Sequence, residues 1–386
     1  MSYQVRIVSV EWAELEGRRP RHAGSNARLG DHGLTVRVPF ARLTADDGSA
    51  GFGFCQAGRE QAEALLGRPL AELLSEESGA TVAGRAFDYP LWDLIGKRRD
   101  LPVYALLAAA AGRAVVEPFA MPCYDTSLYF DDLHLADNAA AADLLAQEAR
   151  EGYARGHRHF KIKVGRGARH LPLEAGTQRD IAIVRAVRQA VGADAQIMLD
   201  ANNGYNLNLA KRVLAETADC RVFWLEEAFH EDAVLYADLK SWLADQRLAV
   251  LIADGEGQAS PSLLTWAQDG LIDVVQYDVF GYGFTPWLAL ARQLDGWGVR
   301  SAPHHYGRLY GNYVAAHLAA VCQRFTFVEW DEAQTPALDT SAYRVEDGRV
   351  YVPRLPGFGL TLDEPWFRRA AAEHGFLVRA DHAAWN

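Results

Sequence analysis

The chain has 386 residues, 39 basic and 50 acidic side chains, a net charge of −11 and 49% apolar residues. At roughly 150 residues per domain this excludes a single small module, and the composition excludes disorder or a fibre. The acidic balance has the wrong sign for a nucleic-acid binder, and no apolar run approaches the ~18 residues of a membrane span. Cys55, Cys123, Cys220 and Cys322 are too widely spaced for a disulfide framework or a zinc site, and residues 1–8 lack a basic-then-apolar leader. A cytoplasmic protein without nucleic-acid or membrane partners is expected.

In chain order, residues 4–53 alternate apolar and polar and read as strands, interrupted by a polar loop over 18–32. Helical spacing of apolar residues over 59–66 and 85–95 completes an α+β unit that ends near Glu117. Beyond it, short apolar runs at 160–164, 196–200, 222–226, 250–254, 273–278, 299–304 and 325–329 alternate with helical stretches. One such stretch carries Ile181, Val184, Val187 and Val191 on one stripe. With an earlier run near 118–121, these make the number of strands that closes an eight-stranded parallel barrel. The tail after about Ala337 falls outside the period. The expected division is therefore an α+β cap over 1–116, a barrel over 117–336, and a segment over 337–386 that packs back on the cap.

In such a barrel the chemistry sits at the C-terminal strand ends. The runs after Lys163 end at, or one loop step past, Asp200, Glu226, Glu256, Asp278, His304 and Glu329, and every one of these is titratable. Asp200, Glu226 and Glu256 come from three successive strands and offer hard oxygen donors without thiolate or imidazole, a set that suits Mg²⁺. Without a cation, three converging carboxylates would repel one another and rise in pKa. Lys161 and Lys163 stand two apart on a strand and so share a face, and this crowding with partial burial is expected to lower a lysine toward a neutral-pH base. Asp278 and His304, from neighbouring strands, can form a dyad in which the carboxylate orients the imidazole. His305 is the competing choice, but the one-residue step turns its side chain away from the pocket, which favours His304. Glu329 is a candidate acid or hydrogen-bond donor toward a substrate oxygen.

The ordered motifs Lys161-Ile-Lys163, Asp200-Ala-Asn202, Glu226-Glu227 and Gly255-Glu256, followed by Asp278, His304 and Glu329, resemble the enolase superfamily and its mandelate racemase subgroup. The resemblance spans nearly the whole chain. It implies an α/β fold with a modified TIM barrel, (β/α)7β, behind an N-terminal α+β cap. It also implies Mg²⁺ on Asp200, Glu226 and Glu256, Lys163 and His304 as acid/base groups, and Lys161 assisting. Two departures, Ala228 after the Glu pair and Tyr277 before Asp278 where proline is common, concern loop geometry and remove no functional group.

The implied first step is removal of the proton α to a substrate carboxylate, with the enediolate stabilised by Mg²⁺ and Lys161. A β-hydroxyl then leaves with help from His304 or Glu329, or the proton returns on the opposite face. The polar loop holds Arg18, Arg19, Arg21, His22, Asn26 and Arg28, which suits an anionic polyhydroxy acid. The expected reaction is thus dehydration of an aldonate or aldarate to a 2-keto-3-deoxy acid, with racemisation or epimerisation of a 2-hydroxy acid as the alternative. A Schiff-base aldolase and a non-catalytic binding barrel are remoter readings. Candidate substrate contacts are Asn202, Arg18, Arg21, His22 and Tyr124, the last opening a second specificity segment over 124–134 with Tyr129, Asp131 and Asp132. A small-molecule carboxylate is the expected partner, and a homo-oligomer the expected assembly.

Overall fold

The computed structural model describes residues 5–257 and 259–380, so the outermost ends of the first and last expected segments lie outside it. The N-terminal unit is an antiparallel sheet of β1 (Ile7–Ala23), β2 (Gly33–Ala45) and β3 (Ala50–Phe54). The expected loop over 18–32 is corrected, because β1 continues to Ala23 and pairs with β2 as far as Ala23 opposite Gly33. Its alternation persists, with Leu15, Gly17, Arg19 and Ala23 buried and Glu16, Arg18, Pro20 and His22 exposed. The inward arginines find acidic partners, so a true strand reads as polar. Helix Asp88–Arg99 packs on this sheet through Leu91, Trp92, Leu94 and Ile95. A Cβ on Gly51 would lie 2.3 Å from the Leu94 backbone, so only glycine allows that approach.

The second unit is a parallel sheet of β4 (Ala120–Leu128), β5 (His159–Lys163), β6 (Gln196–Asp200), β7 (Val222–Glu226), β8 (Leu251–Asp254), β9 (Val274–Val275), β10 (Arg300–Ser301) and β11 (Val328–Trp330). Their order is β10-β9-β8-β7-β6-β5-β4-β11. Helices such as Asn138–Ala154, Leu173–Val191 and Phe284–Trp297 separate successive strands. The ladder is continuous from β10 to β11 in that order but does not join β10 directly to β11 along its length. Between them stands one isolated parallel bridge, Ser301 with Phe325.

Some boundaries differ from expectation. The first strand is longer and begins later than 118–121, and the runs at 273–278 and 299–304 hold only two strand residues each. Those two continue as irregular backbone that meets again at an isolated bridge between Asp278 and His304.

Both faces of the sheet are buried, as expected for parallel strands. Phe160, Ile162, Ile197, Leu199, Leu225, Ile252 and Val275 pack in the main core with the helices. Tyr124, Met198, Trp224, Ala253, Val274, Ala302 and Phe327 form a smaller cluster on the opposite face, and this apolar floor lies below the charged strand ends. The tail divides. Its hairpin, Arg344–Glu346 with Arg349–Tyr351, pairs with the start of β4, whereas strand Phe376–Arg379 joins β1 and Phe376 stacks on Trp12 at 5.7 Å.

Candidate active site

Register builds the site. Lys163 is the β-partner of Asp200, and Asp200 is the partner of Glu226, so three charged side chains stand level across β5, β6 and β7. Glu256 arrives from the loop after β8, where Gly255 adopts φ 124°. Asn202, Asn203 and Glu227 also have positive φ, between 42° and 62°, at the ends of β6 and β7. Left-handed backbone at non-glycine residues is costly and gathers at functional loops.

The carboxylate oxygens of Asp200, Glu226 and Glu256 lie within 4.8 Å of one another, and all three residues are buried. Each is held by neighbours. The Asn202 amide N–H donates to Asp200 at 3.0 Å, Trp224 and Gln276 donate to Glu226 Oε2 at 3.0 and 2.9 Å, and Asn202 Nδ2 donates to Glu256 at 3.1 Å and to Glu227 at 2.9 Å. Burial and the nearby Asp200 push the Glu226 carboxyl up to about 8, and burial with Glu256 pushes Glu227 up to about 10. Asp200 goes the other way, to about 2, because Lys163 and Lys161 outweigh its burial. The donor set fits a hard divalent cation, and Asn202 Oδ1 is buried beside it without a hydrogen-bond partner.

Lys163 contacts Asp200, and Lys161 Nζ lies 2.8 Å from Glu226, 3.1 Å from Glu329 and 3.4 Å from Asp200. The expectation of lowered lysine pKa values is corrected. Burial alone would lower both, but Glu226 and Glu329 raise Lys161 well above its ordinary value, and Asp200 and Glu256 raise Lys163. Carboxylates outnumber ammonium groups here, so the opposite charges dominate.

Across the cluster, His304 Nδ1 lies 3.1 Å from Asp278 Oδ2 and Nε2 lies 3.1 Å from Glu256 Oε2. The backbone N–H groups of Phe280 and Gly281 donate to Asp278 Oδ1 at 2.9 and 2.7 Å, which fixes the carboxylate. Burial opposes protonation of His304, yet Glu256, Glu329 and Asp278 together bring it up to about 10. His305 turns away, as expected, with Nε2 2.6 Å from the Glu329 carbonyl.

Glu329, the candidate acid, accepts hydrogen bonds in this structure. Its oxygens accept from Thr126 at 2.8 Å and from the His305 and Tyr306 amides at 2.8 and 3.1 Å. Although burial pushes it up, Lys161 and His304 hold it well below the usual carboxylate range. It braces Lys161 at 3.1 Å.

The structure does not bring Arg18, Arg21 and His22 to these groups. Arg18 is exposed on the outer face of β1 and lines a separate cleft with Glu332 and Tyr343. Arg21 is taken up by Asp131 at 3.0 Å, Glu148 at 2.8 Å and the Ser127 carbonyl at 2.8 Å, and His22 is exposed between Asp31 and Asp131. Tyr124 lies inside β4, on the apolar floor against Trp224 and Phe327, with its ring 5.3 Å from Lys161 Nζ. It supports Lys161 from below rather than opening a loop. Asn202 does lie in the cluster.

Of the residues named in the polar loop and in the 124–134 segment, Arg28 and Tyr129 do approach, joined by His32 and Tyr306, which the sequence does not single out. Arg28 Nη1 and Nη2 come within 3.9 Å of Glu227 and Glu256. Tyr129 stacks on Tyr306 at 4.8 Å, His32 meets Tyr129 edge-on at 4.8 Å, and Lys163 Nζ lies 5.2 Å from the Tyr129 ring. The second glutamate of the Glu226-Glu227 pair was a visible signal, and an inward/outward count along β1 would have favoured Arg19 over Arg18. Asp132 lies elsewhere, in a buried network with Arg166 at 2.7 Å and Arg179 at 3.4 Å.

The family model for enolase C-terminal domain-like proteins matches residues 144–366. The chain belongs to this enolase-like family. A crystal structure of a galacturonate dehydratase from Geobacillus sp., complexed with D-galacturonate and 5-keto-4-deoxy-D-galacturonate, is 47% identical to this enolase-like chain. The match covers 98% of this chain and 100% of that one, with a TM-score of 0.93. A mandelate racemase/muconate lactonizing protein from Geobacillus sp. Y412MC10, complexed with magnesium and tartrate, is also 47% identical, covers 98% of both chains and has a TM-score of 0.96. A D-gluconate dehydratase from Thermoproteus tenax is 25% identical over 94% of this enolase-like chain and 74% of its own length.

Proposed function

We propose that this protein is a Mg²⁺-dependent acid-sugar dehydratase acting on a hexuronate such as D-galacturonate in its open-chain form. The observation that carries this reading is the buried carboxylate trio with a lysine pair on one flank and the Asp278–His304 dyad on the other. The 47% identity to a galacturonate dehydratase supports the substrate class. We read the parallel sheet as a (β/α)7β barrel behind an N-terminal cap, divided near residues 116 and 336, in a cytoplasmic homo-oligomer. Among the described residues no helix is long and apolar enough to cross a membrane.

Asp200, Glu226 and Glu256 would hold the cation, which when bound supplies positive charge beside the substrate carboxylate. Lys163 takes the proton from the carbon α to that carboxylate in its neutral form, which a cation bound on Asp200 and Glu256 would favour by offsetting the negative charge that raises Lys163. Lys161, braced by Glu226 and Glu329, lies where negative charge develops and stabilises it. His304, oriented by Asp278, gives a proton to the departing β-hydroxyl. The α C–H and β C–O bonds break, water leaves, and the enol tautomerises to a 2-keto-3-deoxy acid, which in hexuronate numbering is a 5-keto-4-deoxy product.

Two proton-handling groups on opposite flanks also suit transfer of one proton from face to face, so racemisation or epimerisation is the second reading. A screen of uronates, aldonates and aldarates with Mg²⁺, following keto-acid formation, separates the two. Turnover by the wild type, with Lys163→Ala and His304→Asn at least about 100-fold slower, is the expected result. Exchange of the α hydrogen without loss of water would select the racemase.

A further inference from the structure

We propose that Arg28 is a tethered counter-ion of the metal-site carboxylates that competes with the metal ion for Glu256. The inference rests on the reading of Asp200, Glu226 and Glu256 as the Mg²⁺ site. It begins from two contacts: the guanidinium stands 3.9 Å from Oε1 of Glu227 and 3.9 Å from Oε1 of Glu256, with its side chain 44% exposed.

The loop that carries Arg28 is docked on the second unit independently of that side chain. Phe130 donates its amide to the Ser25 carbonyl at 2.9 Å, His170 Nε2 lies 2.9 Å from the Asn26 carbonyl, and Arg169 donates to the Arg28 carbonyl at 2.8 Å. Asn26 Oδ1 accepts the Arg28 and Leu29 amides at 2.9 and 2.6 Å and shapes the turn. The backbone at Arg28 is therefore fixed, while its half-exposed side chain can leave the carboxylates without unfolding the loop.

Glu227 and Glu256 are both buried and share the Asn202 amide. Two adjacent buried carboxyl groups raise each other's pKa, and Arg28 brings a positive charge to them from the other unit. A divalent cation on Glu256 would place like charge next to the guanidinium, so the two compete for the same oxygens. Coupling of this kind is reciprocal: Arg28 weakens metal binding, and metal weakens the hold of Arg28 on the site.

The test is calorimetric titration of Mg²⁺, without substrate, into the wild type, Arg28→Gln and Arg28→Lys. Arg28→Gln is expected to bind Mg²⁺ about tenfold more tightly than the wild type, whereas Arg28→Lys, which keeps the charge, stays near the wild type. A purely structural role for Arg28 predicts unchanged or weaker binding in Arg28→Gln, and that result overturns the inference alone. A wild type that binds no Mg²⁺ overturns the metal-site reading and the inference with it.

Discussion

Substitution of Arg166 by Met tests how the loop after the lysine strand is held. The guanidinium is fully buried and donates to Asp132 at 2.7 to 3.2 Å, to Asp180 at 2.9 Å and to the Lys163 carbonyl at 3.0 Å. Removing one member of a buried ion pair costs about 3–5 kcal/mol, because its partner charge stays in the interior. Here neither acid is left bare. Asp132 keeps Arg179 at 3.4 Å, and Asp180 keeps the Gly165 amide at 2.8 Å and the Tyr205 hydroxyl at 2.9 Å. The expected loss is therefore at the low end, about 3 kcal/mol, read from urea unfolding followed by tryptophan fluorescence. Its pH dependence has a definite sign. Burial already holds the Asp180 carboxyl above its ordinary value even with Arg166 beside it. Loss of the guanidinium raises it further, and a folded-state carboxyl with raised pKa takes up a proton as pH falls. The deficit of Arg166→Met should thus be greatest at neutral pH and shrink on acidification. A loss under about 1 kcal/mol, the scale of an exposed pair, or a deficit that grows on acidification, would refute this account.

Asp278→Asn should lower kcat by about 100-fold with fold retained, and it should move the alkaline limb of the rate profile to lower pH, since Asp278 helps keep His304 protonated. His317 is buried with Nδ1 accepting the Tyr104 amide at 2.9 Å and Nε2 2.8 Å from the Tyr343 hydroxyl, and burial depresses it to about 3. The unfolded chain protonates first, so stability falls below pH 6.5 by about 1.4 kcal/mol per unit. Acid unfolding of His317→Gln should show a shallower slope. Gly311→Ala would set a Cβ 2.3 Å from the His305 ring. Overpacking of about 1–3 kcal/mol, together with displacement of His305 from the Glu329 carbonyl, should lower both the unfolding midpoint and kcat.

The charged strand ends were legible because they rest on local rules: a two-residue step puts Lys161 and Lys163 on one face, and parallel register aligns Lys163, Asp200 and Glu226. The choice of His304 over His305 followed from the same step. What failed was what depends on partners distant in sequence. Arg19 reads as loop until Asp331 is seen 3.9 Å away, and Arg21 reads as a ligand contact until Asp131 and Glu148 are found around it. The two lysines alone would lower each other's pKa, but the carboxylates folded against them come from other strands and reverse the sign. Tyr124 reads as loop because the first strand of the sheet runs on to Leu128, past its apolar start.

The central claim is that this enolase-like site removes the proton α to a carboxylate and then expels water. The most direct measurement is proton NMR of D-galacturonate turned over in D₂O with Mg²⁺. The account predicts a 5-keto-4-deoxy product with deuterium at C4, absent without Mg²⁺ and absent with Lys163→Ala. Substrate recovered with deuterium at C5 and no keto acid would contradict it, as would an unchanged spectrum from enzyme shown to hold Mg²⁺.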